Sequence, residues 1–340
     1  IEGLADGCCN LSFLIRIRQN GKLHSYVVRR YHPDRTVEQI QFEHSFIHHL
    51  KHNTFTLVPG AVKCRDGGTW IQEIDPENRL PYYWAIFEFL PGEDKYTWIE
   101  NNLSEPELTS AAEVLAHLHD ASTGFQPTSD NAANPPLIKG FFEKLYREVD
   151  QKTGPLRIPG IQELVNPHRS LFLSVIEHIL TVEGSLVAIP EIAIHSDYHP
   201  GNLKFRQERV VGVFDFDWSQ MGHRAFDLSL ALIYFAGRWG KKGHEGLNPD
   251  KVELFLGTYD GTLVSKTQMS PLSEIEVDLL TRLLSAVNLF ILKWELDEYS
   301  ANPLKHQEFT NYINHNVRLM NWINQNSRQM QKLISATCNL

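Results

Sequence analysis

Hydrophobic and polar residues alternate through much of the first 90 positions, which is typical of β-strands with one buried face. Segments 10–17 (NLSFLIRI) and 24–31 (HSYVVRRY) are rich in β-branched and aromatic residues, and the turn-forming sequence QNGK lies between them. Segments 61–64, 69–74 and 83–90 have the same character and are separated by DGG and DPENRLP. The pattern predicts five strands in a mostly antiparallel sheet.

One helix interrupts this strand-rich region. Between Thr36 and His52 the apolar residues recur at helical spacing and form one apolar face, which contains Val37, Ile40, Phe46, Ile47 and Leu50. The predicted order is therefore strand, strand, helix, strand, strand, strand. We expect a small sheet that carries a single helix.

After the Pro-Gly break in LPGED (90–94) the pattern becomes helical. Ser104 and Glu107 have the spacing of a capping box, and an apolar stripe at helical spacing follows them. Further helices are predicted at 141–152, at 161–182, from Asn248-Pro249 onward, from Ser273 to about Tyr299, and at 306–331. The Pro-rich segment 124–140 is predicted to be a loop. The predicted fold class is α+β, with an N-terminal lobe at 1–90 and a larger, mainly helical lobe at 91–340.

Composition and charge narrow the possible functions. The chain has 340 residues and a net charge of −9, which argues against a nucleic-acid partner because phosphate backbones require a basic surface. No stretch of about 18 apolar residues occurs, and the start IEGLADGCCN lacks the pattern of a signal peptide, so we expect a cytoplasmic protein without a membrane partner. The four cysteines form no CxxC motif and are expected to be reduced thiols.

Two neighbouring segments carry most of the candidate chemistry: HSDYHPGNLKF (195–205) and VVGVFDFDWSQ (210–220). One interpretation is a metal cage, because His195, Asp197 and His199 alternate as ligands on one strand face would. The sequence Pro200-Gly201 would break such a strand, and no HExxH motif or third histidine at ligand spacing supports the interpretation. Zinc is therefore the weaker alternative.

The spacing favours phosphoryl transfer instead. His195, Asp197 and Asn202 reproduce the H-x-D-x-x-x-x-N spacing of a kinase catalytic loop, and Asp215 follows in a D-F-D sequence where protein kinases have D-F-G. A hairpin around RQER would hold Asn202 and Asp215 side by side. Their oxygens suit Mg²⁺, and the Asp197 carboxylate suits a group that orients an acceptor hydroxyl and takes its proton. For Asp217 two roles are open: a second Mg²⁺ ligand or a stabiliser of the loop.

With these residues in view, HSDYHPGNLKF resembles the H-G-D-x-H-P-G-N loop of the aminoglycoside phosphotransferase and choline kinase superfamily. The segment VFDFDWSQMGHRAFDLSLAL resembles the metal-binding segment of that superfamily, and YVVRRYHP and FEHSFIHHL resemble its homoserine-kinase-like bacterial branch. The resemblance implies a bilobal protein-kinase-like fold, the cofactors ATP and Mg²⁺, and transfer of the γ-phosphate to a small hydroxyl-bearing acceptor.

The same resemblance assigns further roles. Arg29 corresponds to the basic residue that contacts the α- and β-phosphates, and Glu43 to its partner on the helix, although a solvated charge is the alternative for Glu43. The backbones of Glu88 and Leu90, in the hinge IFEFLPG, are expected to bond the adenine edge, with Phe87 behind the ring. Gly7 and Asn10 are expected in the phosphate-cradling loop, which is the weakest match because GxGxxG is missing. His195 and Asp227 are expected to support the catalytic loop; an N-cap is the alternative for Asp227.

The acceptor is less defined. Trp294, Glu295, Glu298 and Tyr299, together with segment 237–246, combine aromatic and acidic residues, which would suit an ammonium-bearing alcohol. Such aromatics are also common in cores. Homoserine, choline, a sugar and an aminoglycoside all remain candidates, and the small amino alcohols are favoured.

Two other functions remain as alternatives. The first is a non-catalytic nucleotide-binding protein with a kinase-like fold, against which the presence of Asp197, Asn202 and Asp215 argues. The second is a protein kinase, which would need an APE segment and a longer stretch between 217 and 227.

Overall fold

A five-stranded antiparallel sheet forms the N-terminal part of the molecule in a computed structural model, which describes residues 2–4, 10–77, 79–127, 137–150, 162–182, 186, 188–239 and 245–338. The strands are β1 (Glu2–Gly3), β2 (Leu11–Gln19), β3 (Lys22–Arg30), β4 (Trp70–Ile74) and β5 (Pro81–Glu88), in the order β1-β2-β3-β5-β4. The register places Arg29 opposite Ala85 and Val27 opposite Phe87, so these side chains share the inner face of the sheet.

The prediction of a strand at 61–64 is wrong. Ala61 makes one isolated bridge to Phe87, and the Val62 N–H bonds to the Ile86 carbonyl at 2.8 Å. The chain then turns back on itself, since the Cys64 N–H bonds to the Gly68 carbonyl at 2.7 Å. The tight turn leaves too few residues to run along β5, and the fifth strand of the sheet is β1 instead.

Helix α1 (Val37–His52) confirms the single helix predicted for this part. Thr36 caps it in a reciprocal capping box with Gln39. Its buried face includes Phe42 and Phe46, whose rings lie 5.3 Å from Phe125 and 5.9 Å from Phe216, respectively. The helix therefore joins the sheet to the helical part of the molecule.

The helical part contains eight further helices among the residues that the structure describes. They are α2 (Glu105–Ser122), α3 (Leu137–Asp150), α4 (Gln162–Val165), α5 (Arg169–Thr181), α6 (Arg224–Ala236), α7 (Pro249–Lys266), α8 (Glu274–Ala301) and α9 (His306–Thr337). Capping by Ser104, Asn248 and Ser273 is confirmed. The predicted helix 161–182 is divided by a 3-10 turn at Asn166–His168, because Pro167 cannot donate a helical hydrogen bond.

Two short two-stranded sheets lie between α5 and α6 and frame the motif segments. Strand β6 (Ile192–Ile194) pairs with β9 (Gln220–Gly222), and β7 (Leu203–Arg206) pairs with β8 (Arg209–Val213). The second pair confirms the predicted hairpin around RQER. The first pair holds the beginning and the end of the 195–219 segment together.

The segment after β5 attaches the sheet to the helical part. Glu93 and Phe205 exchange backbone hydrogen bonds of 2.8 and 3.0 Å. Gly92 has a φ of 133°, and a Cβ there would lie 2.9 Å from Lys204 Cβ and Val211 Cγ2, so glycine is needed for this approach. The bilobal α+β fold is as predicted, and the boundary at residue 90 stays a prediction. None of the described helices is long and apolar enough to cross a membrane.

Candidate active site

The loop after β6 is held by one buried carboxylate. Asp227, in the first turn of α6, accepts hydrogen bonds from the backbone N–H groups of His195 at 3.0 Å and Ser196 at 2.9 Å. Ser196 has a φ of 62°, a left-handed conformation that is costly for a residue with a side chain. The two bonds from Asp227 stabilise this conformation. Helix α6 begins at Arg224, so Asp227 is not its N-cap.

Asp227 is itself held by residues that the motif analysis did not identify. His119 Nε2 lies 3.0 Å from Asp227 Oδ2, and His119 Nδ1 lies 2.7 Å from the Tyr259 hydroxyl. Burial alone would raise the pKa of Asp227, but the hydrogen bonds and charge of His119 hold that pKa below its ordinary value. The loop is therefore anchored to a charged carboxylate. His119 is 108 residues away in sequence, so no local pattern could have indicated it.

The His195 ring connects the two motif segments. Its Nε2 lies 3.1 Å from the Phe214 carbonyl, and its Nδ1 accepts the Asp197 N–H at 3.3 Å. This arrangement requires the neutral ring with its proton on Nε2. The ring also packs on Phe216 at a centroid distance of 4.5 Å. These contacts link the two motif segments, and the supporting role of His195 stays a prediction.

Asp197 and Asn202 are in direct contact. The Asn202 amide nitrogen donates to the Asp197 carbonyl at 2.9 Å and to Asp197 Oδ2 at 3.0 Å. The Asn202 carbonyl accepts the Phe214 N–H at 3.0 Å, which brings Asp215 beside them in the chain. Because the amide nitrogen is committed to Asp197, the amide oxygen of Asn202 is left for another partner.

Asp215 faces the sheet through Arg29. It has a φ of 67°, and its Oδ1 lies 2.9 Å from Arg29 Nη2, while Arg29 Nη1 lies 3.1 Å from Glu43 Oε1. Burial would lower the pKa of Arg29, but the charges of Asp215 and Glu43 raise it well above its ordinary value, so the guanidinium stays charged. Burial raises the pKa of Glu43 to about 7, against the opposing effect of Arg29. Glu43 is thus buried and paired, and the solvated alternative is wrong.

Asp217 is bound by two residues of the N-terminal part. Its Oδ2 accepts Asn10 Nδ2 at 2.8 Å and Arg35 Nη2 at 3.0 Å, and Arg35 Nη1 donates to its carbonyl at 2.8 Å. Asn10 Oδ1 also accepts the His32 N–H at 3.1 Å, so both ends of the Asn10 amide are engaged. These contacts hold one side of the Asp217 carboxylate. Both roles open for Asp217 stay predictions, as does the phosphate role of Asn10. Arg35 was not predicted, and Gly7 lies outside the described residues.

The predicted hinge residues lie at the end of β5. The Glu88 carboxylate bonds to Lys51 and accepts the Gly60 N–H at 3.0 Å. Leu90 packs against Gly212 of the β7–β8 hairpin. Phe87 is buried, with the Arg29 guanidinium 5.4 Å from its ring centre. The adenine contacts assigned to Glu88 and Leu90 remain predictions.

The donor set fits magnesium better than zinc. Among the described residues, no three His, Cys, Asp or Glu side chains converge to hold a metal, which removes the basis of the zinc interpretation. Asn202 and Asp215 offer hard oxygen ligands. Mg²⁺ is commonly held by one or two protein oxygens, with phosphate oxygens and water completing its octahedron.

Partly exposed aromatic rings lie on the other side of the catalytic loop. We define the aromatic cluster as Trp98, Tyr234, Trp239, Trp294 and Tyr312. Trp98 meets Trp239 at 5.3 Å, Trp294 at 6.3 Å and Tyr312 at 4.5 Å between ring centres. These four rings are partly exposed and pack against the edge of the hydrophobic core. The cluster adjoins the catalytic loop, because the His199 ring lies 5.1 Å from that of Tyr234.

The four acceptor candidates on α8 differ in position. Trp294 belongs to the aromatic cluster, and Glu295 is completely buried beside it. Glu298 bonds to Asn302 at 2.7 Å, and Tyr299 is buried and stacks on His306 with 3.9 Å between ring centres. Tyr299 therefore packs as a core residue. Burial raises the pKa of Tyr234 far above its ordinary value, and the charges of Asp197 and Glu295 act in the same direction.

Two known proteins are similar in sequence to most of this chain. An uncharacterised protein of Synechocystis is 26% identical over 277 residues, which cover 80% of this chain and 66% of that protein. The homoserine kinase of Granulibacter bethesdensis is 25% identical over 259 residues, which cover 76% of this chain and 70% of the kinase. The matched region is about two thirds of the length of these relatives.

Solved structures with the same fold are kinases of small molecules. An amicoumacin kinase in complex with AMP-PNP and Ca²⁺ has a TM-score of 0.66 and 15% identity, and covers 96% of this chain and 91% of its own. A microcompartment-associated aminopropanol kinase has a TM-score of 0.64 and 17% identity, with 95% and 91% covered. The choline kinase of Cryptosporidium parvum has a TM-score of 0.62 and 14% identity, with 100% and 93% covered. These similarities confirm the predicted kinase-like fold.

A family model matches most of the chain and identifies its family. Residues 1–262 match the model of the phosphotransferase enzyme family. This stretch includes the sheet, the catalytic loop and the Asp215 segment. The chain belongs to the phosphotransferase enzyme family, whose members include the small-molecule kinases that the motifs predicted.

Proposed function

We propose that this enzyme transfers the γ-phosphate of ATP to a hydroxyl group of a small amino alcohol, with Mg²⁺ as cofactor. The observation that carries the proposal is the direct contact between Asp197 and Asn202 at 3.0 Å, beside an Asp215 carboxylate that meets Arg29 at 2.9 Å. A proton acceptor, two metal-type oxygen ligands and a phosphate-type cation thus converge between the sheet and the helical part.

Each of these residues has a distinct role in the proposed reaction. Asp197 orients the acceptor hydroxyl and takes its proton as the oxygen bonds to the γ-phosphorus and the bond from that phosphorus to the β-phosphate oxygen breaks. Arg29 balances phosphate charge and is positioned by Glu43. Asn202 and Asp215 would hold Mg²⁺, which supplies charge neutralisation for the phosphates when it is bound. Asp227 and His195 keep the loop in position.

The aromatic cluster and Glu295 favour a cationic acceptor. Aromatic faces attract ammonium groups, and a buried carboxyl group provides the complementary charge. Relatives with this fold include aminopropanol and choline kinases, and related sequences include homoserine kinases. All three named substrates carry an amine or quaternary ammonium group together with a hydroxyl group. A sugar or an aminoglycoside is the second candidate, since an aminoglycoside phosphotransferase of Alicyclobacillus acidocaldarius shares the fold with a TM-score of 0.58.

The test is ADP formation from Mg-ATP with a panel of acceptors. The panel contains 3-aminopropan-1-ol, ethanolamine, choline, homoserine, glucose and kanamycin. We expect turnover well above hydrolysis for at least one amino alcohol, with loss of turnover after chelation of the metal. If the protein binds Mg-ATP and no acceptor releases ADP faster than water does, the non-catalytic alternative is correct.

A further inference from the structure

A group of buried polar side chains lies behind the aromatic cluster, where α8 meets α9. Glu295, Asn288 and Asn316 are completely buried, and His315 is nearly so. Asn316 Nδ2 donates to Glu295 Oε1 at 2.6 Å, and Asn288 Nδ2 donates to the Asn316 carbonyl at 2.8 Å. These two bonds leave the remaining oxygen atoms of the group unused.

Several atoms of this group have no partner in the part of the chain that the structure describes. They are Glu295 Oε2, Asn316 Oδ1, Asn288 Oδ1, His315 Nε2 and, on the adjoining ring, Trp239 Nε1. The two amide oxygens among them can only accept hydrogen bonds. Buried polar atoms without partners are costly in a folded protein, and such a concentration of them commonly marks a place where a ligand or water completes the bonding.

We propose that the Glu295 carboxyl group and the Asn316 amide oxygen form the subsite that receives the ammonium group of the acceptor. This inference rests on the proposed function. A row of aromatic rings leads from Asp197 towards this group: His199 Nε2 lies 3.5 Å from Asp197 Oδ2, the His199 ring lies 5.1 Å from the Tyr234 ring, and Tyr234 stacks on Trp239 at 6.2 Å. An acceptor that lies along these rings would direct its hydroxyl to Asp197 and its amine to Glu295. The rings of Trp239 and His315, stacked at 4.3 Å, lie beside this path.

The charge distribution around Glu295 supports a cationic ligand. Burial raises the pKa of Glu295 to about 8, and its only described hydrogen-bond partner is Asn316. Burial lowers the pKa of His315 to about 4, so that ring is neutral. The carboxyl group has no described counter-ion, is largely protonated at pH 7, and would release its proton when an ammonium group arrives.

The other ionisable groups that the structure describes on the surrounding elements are already paired, neutral or exposed. Arg318 of α9 pairs with Glu245 in the segment before α7, and Lys293 of α8 meets Glu148 of α3 and Asp297 of α8. On α6, Arg224 pairs with Glu276 and Asp227 with His119, while Glu177 and His178 of α5 are exposed. In the catalytic loop, His199 lies 3.5 Å from Asp197.

The first experiment compares an amino alcohol with an uncharged isostere. For Glu295→Gln, the ratio of kcat/KM between 3-aminopropan-1-ol and butan-1-ol, in which CH3 replaces the ammonium group, is expected to fall roughly 30-fold or more. The KM for ATP should stay at its wild-type value. Asp297→Asn is the matched control, since it removes a carboxylate from the exposed side of the same helix, and should leave the ratio unchanged. An unchanged ratio in Glu295→Gln would refute the subsite.

The second experiment does not require turnover. Calorimetric titration of 3-aminopropan-1-ol into the protein with AMP-PNP, in buffers of different ionisation enthalpy, should show release of about one proton at pH 7. Glu295→Gln should bind more weakly and release none. Binding with proton release but no ADP formation would contradict the proposed function alone. Turnover of amino alcohols without any dependence on Glu295 would contradict this inference alone.

Discussion

The two sides of the catalytic loop differ in how completely their polar groups are bonded. On the side of Asp227, both carboxylate oxygens of Asp227 and both ring nitrogens of His119 have hydrogen-bond partners. On the side of Glu295, one carboxylate oxygen and the Asn316 amide oxygen are buried without any described partner. A closed network fixes a loop in one conformation, whereas an open one remains to be completed by a ligand. The loop thus lies between a fully bonded support and the proposed acceptor subsite.

The largest effect is expected where the two sides meet, at Asp197. Asp197→Asn keeps the shape and the contact with Asn202 but removes the proton acceptor. Turnover should fall by about 10²–10⁴-fold, because general base catalysis typically contributes this factor. Steady-state ADP release measures the change. Binding of Mg-AMP-PNP, followed by thermal shift, should persist, and retention of wild-type turnover would rule out this role for Asp197.

Breaking the closed network should destabilise the fold. Asp227→Asn removes a buried charge that accepts bonds from two backbone groups and His119, so we expect a loss of about 3 kcal/mol in unfolding free energy. Urea denaturation measures this value, and turnover should fall as well. Asp250→Asn, at an exposed carboxylate in the first turn of α7, is the control and should change stability little. Equal stability of the two variants would show that the network is not a support.

On the incompletely bonded side, substitution of Glu295 should raise the stability of the fold instead of lowering it. Glu295 has a pKa of about 8 in the folded protein against an ordinary value near 4.5, so the folded state binds more protons between these values and its stability falls as pH rises through this window. Glu295→Gln removes this penalty. It should raise the melting temperature at pH 8 by a few degrees, corresponding to about 2 kcal/mol, and the gain should shrink towards pH 5. Differential scanning calorimetry across this range is the measurement.

A gain at pH 8 combined with weaker amino-alcohol binding would distinguish a ligand site from a structural residue. A structural Glu295 would lose stability on substitution at every pH. Asp297→Asn again provides the control, because its carboxylate is exposed and paired with Lys293 on the same helix.

The smallest expected effect is a change in stability at the backbone of Ser196, which bonds to Asp227. Ser196→Gly relieves a left-handed φ of 62° but loses the 3.3 Å bond from Gln220 to the Ser196 hydroxyl. Ser196→Ala loses the same bond and keeps the strain. We expect the glycine variant to be about 1 kcal/mol more stable than the alanine variant, by chemical denaturation. An alanine variant of equal stability would show that Asp227 compensates fully for the strained conformation.

The parts predicted correctly from sequence are those that short-range patterns determine. The capping residues Ser104 and Ser273 each form reciprocal bonds within three residues, and the spacing of Asp197 to Asn202 fixes their contact through a single turn. The strand prediction at 61–64 was wrong because the composition suits a strand, but the backbone of Cys64 forms its hydrogen bond within the following DGG turn.

The unpredicted residues depend on contacts between distant segments. Arg35 reaches Asp217 across 182 positions, and His119 reaches Asp227 across 108. A single histidine or arginine carries no local signal, so only the folded arrangement identifies it. The Glu295 oxygen that has no described hydrogen-bond partner is likewise identified only after α8 and α9 pack together. Chemistry that depends on burial cannot be assigned from residue type alone.

The pairing of β6 with β9 has a consequence for control of the enzyme. Strand β9 begins at Gln220, three residues after Asp217, and returns directly to the strand that precedes His195. No long segment between them is available to swing away or to be ordered by a modification, as happens in enzymes with an activation loop. The arrangement of Asp197, Asn202 and Asp215 is therefore tied to the pairing of β6 with β9, and losing it would require these two strands to separate.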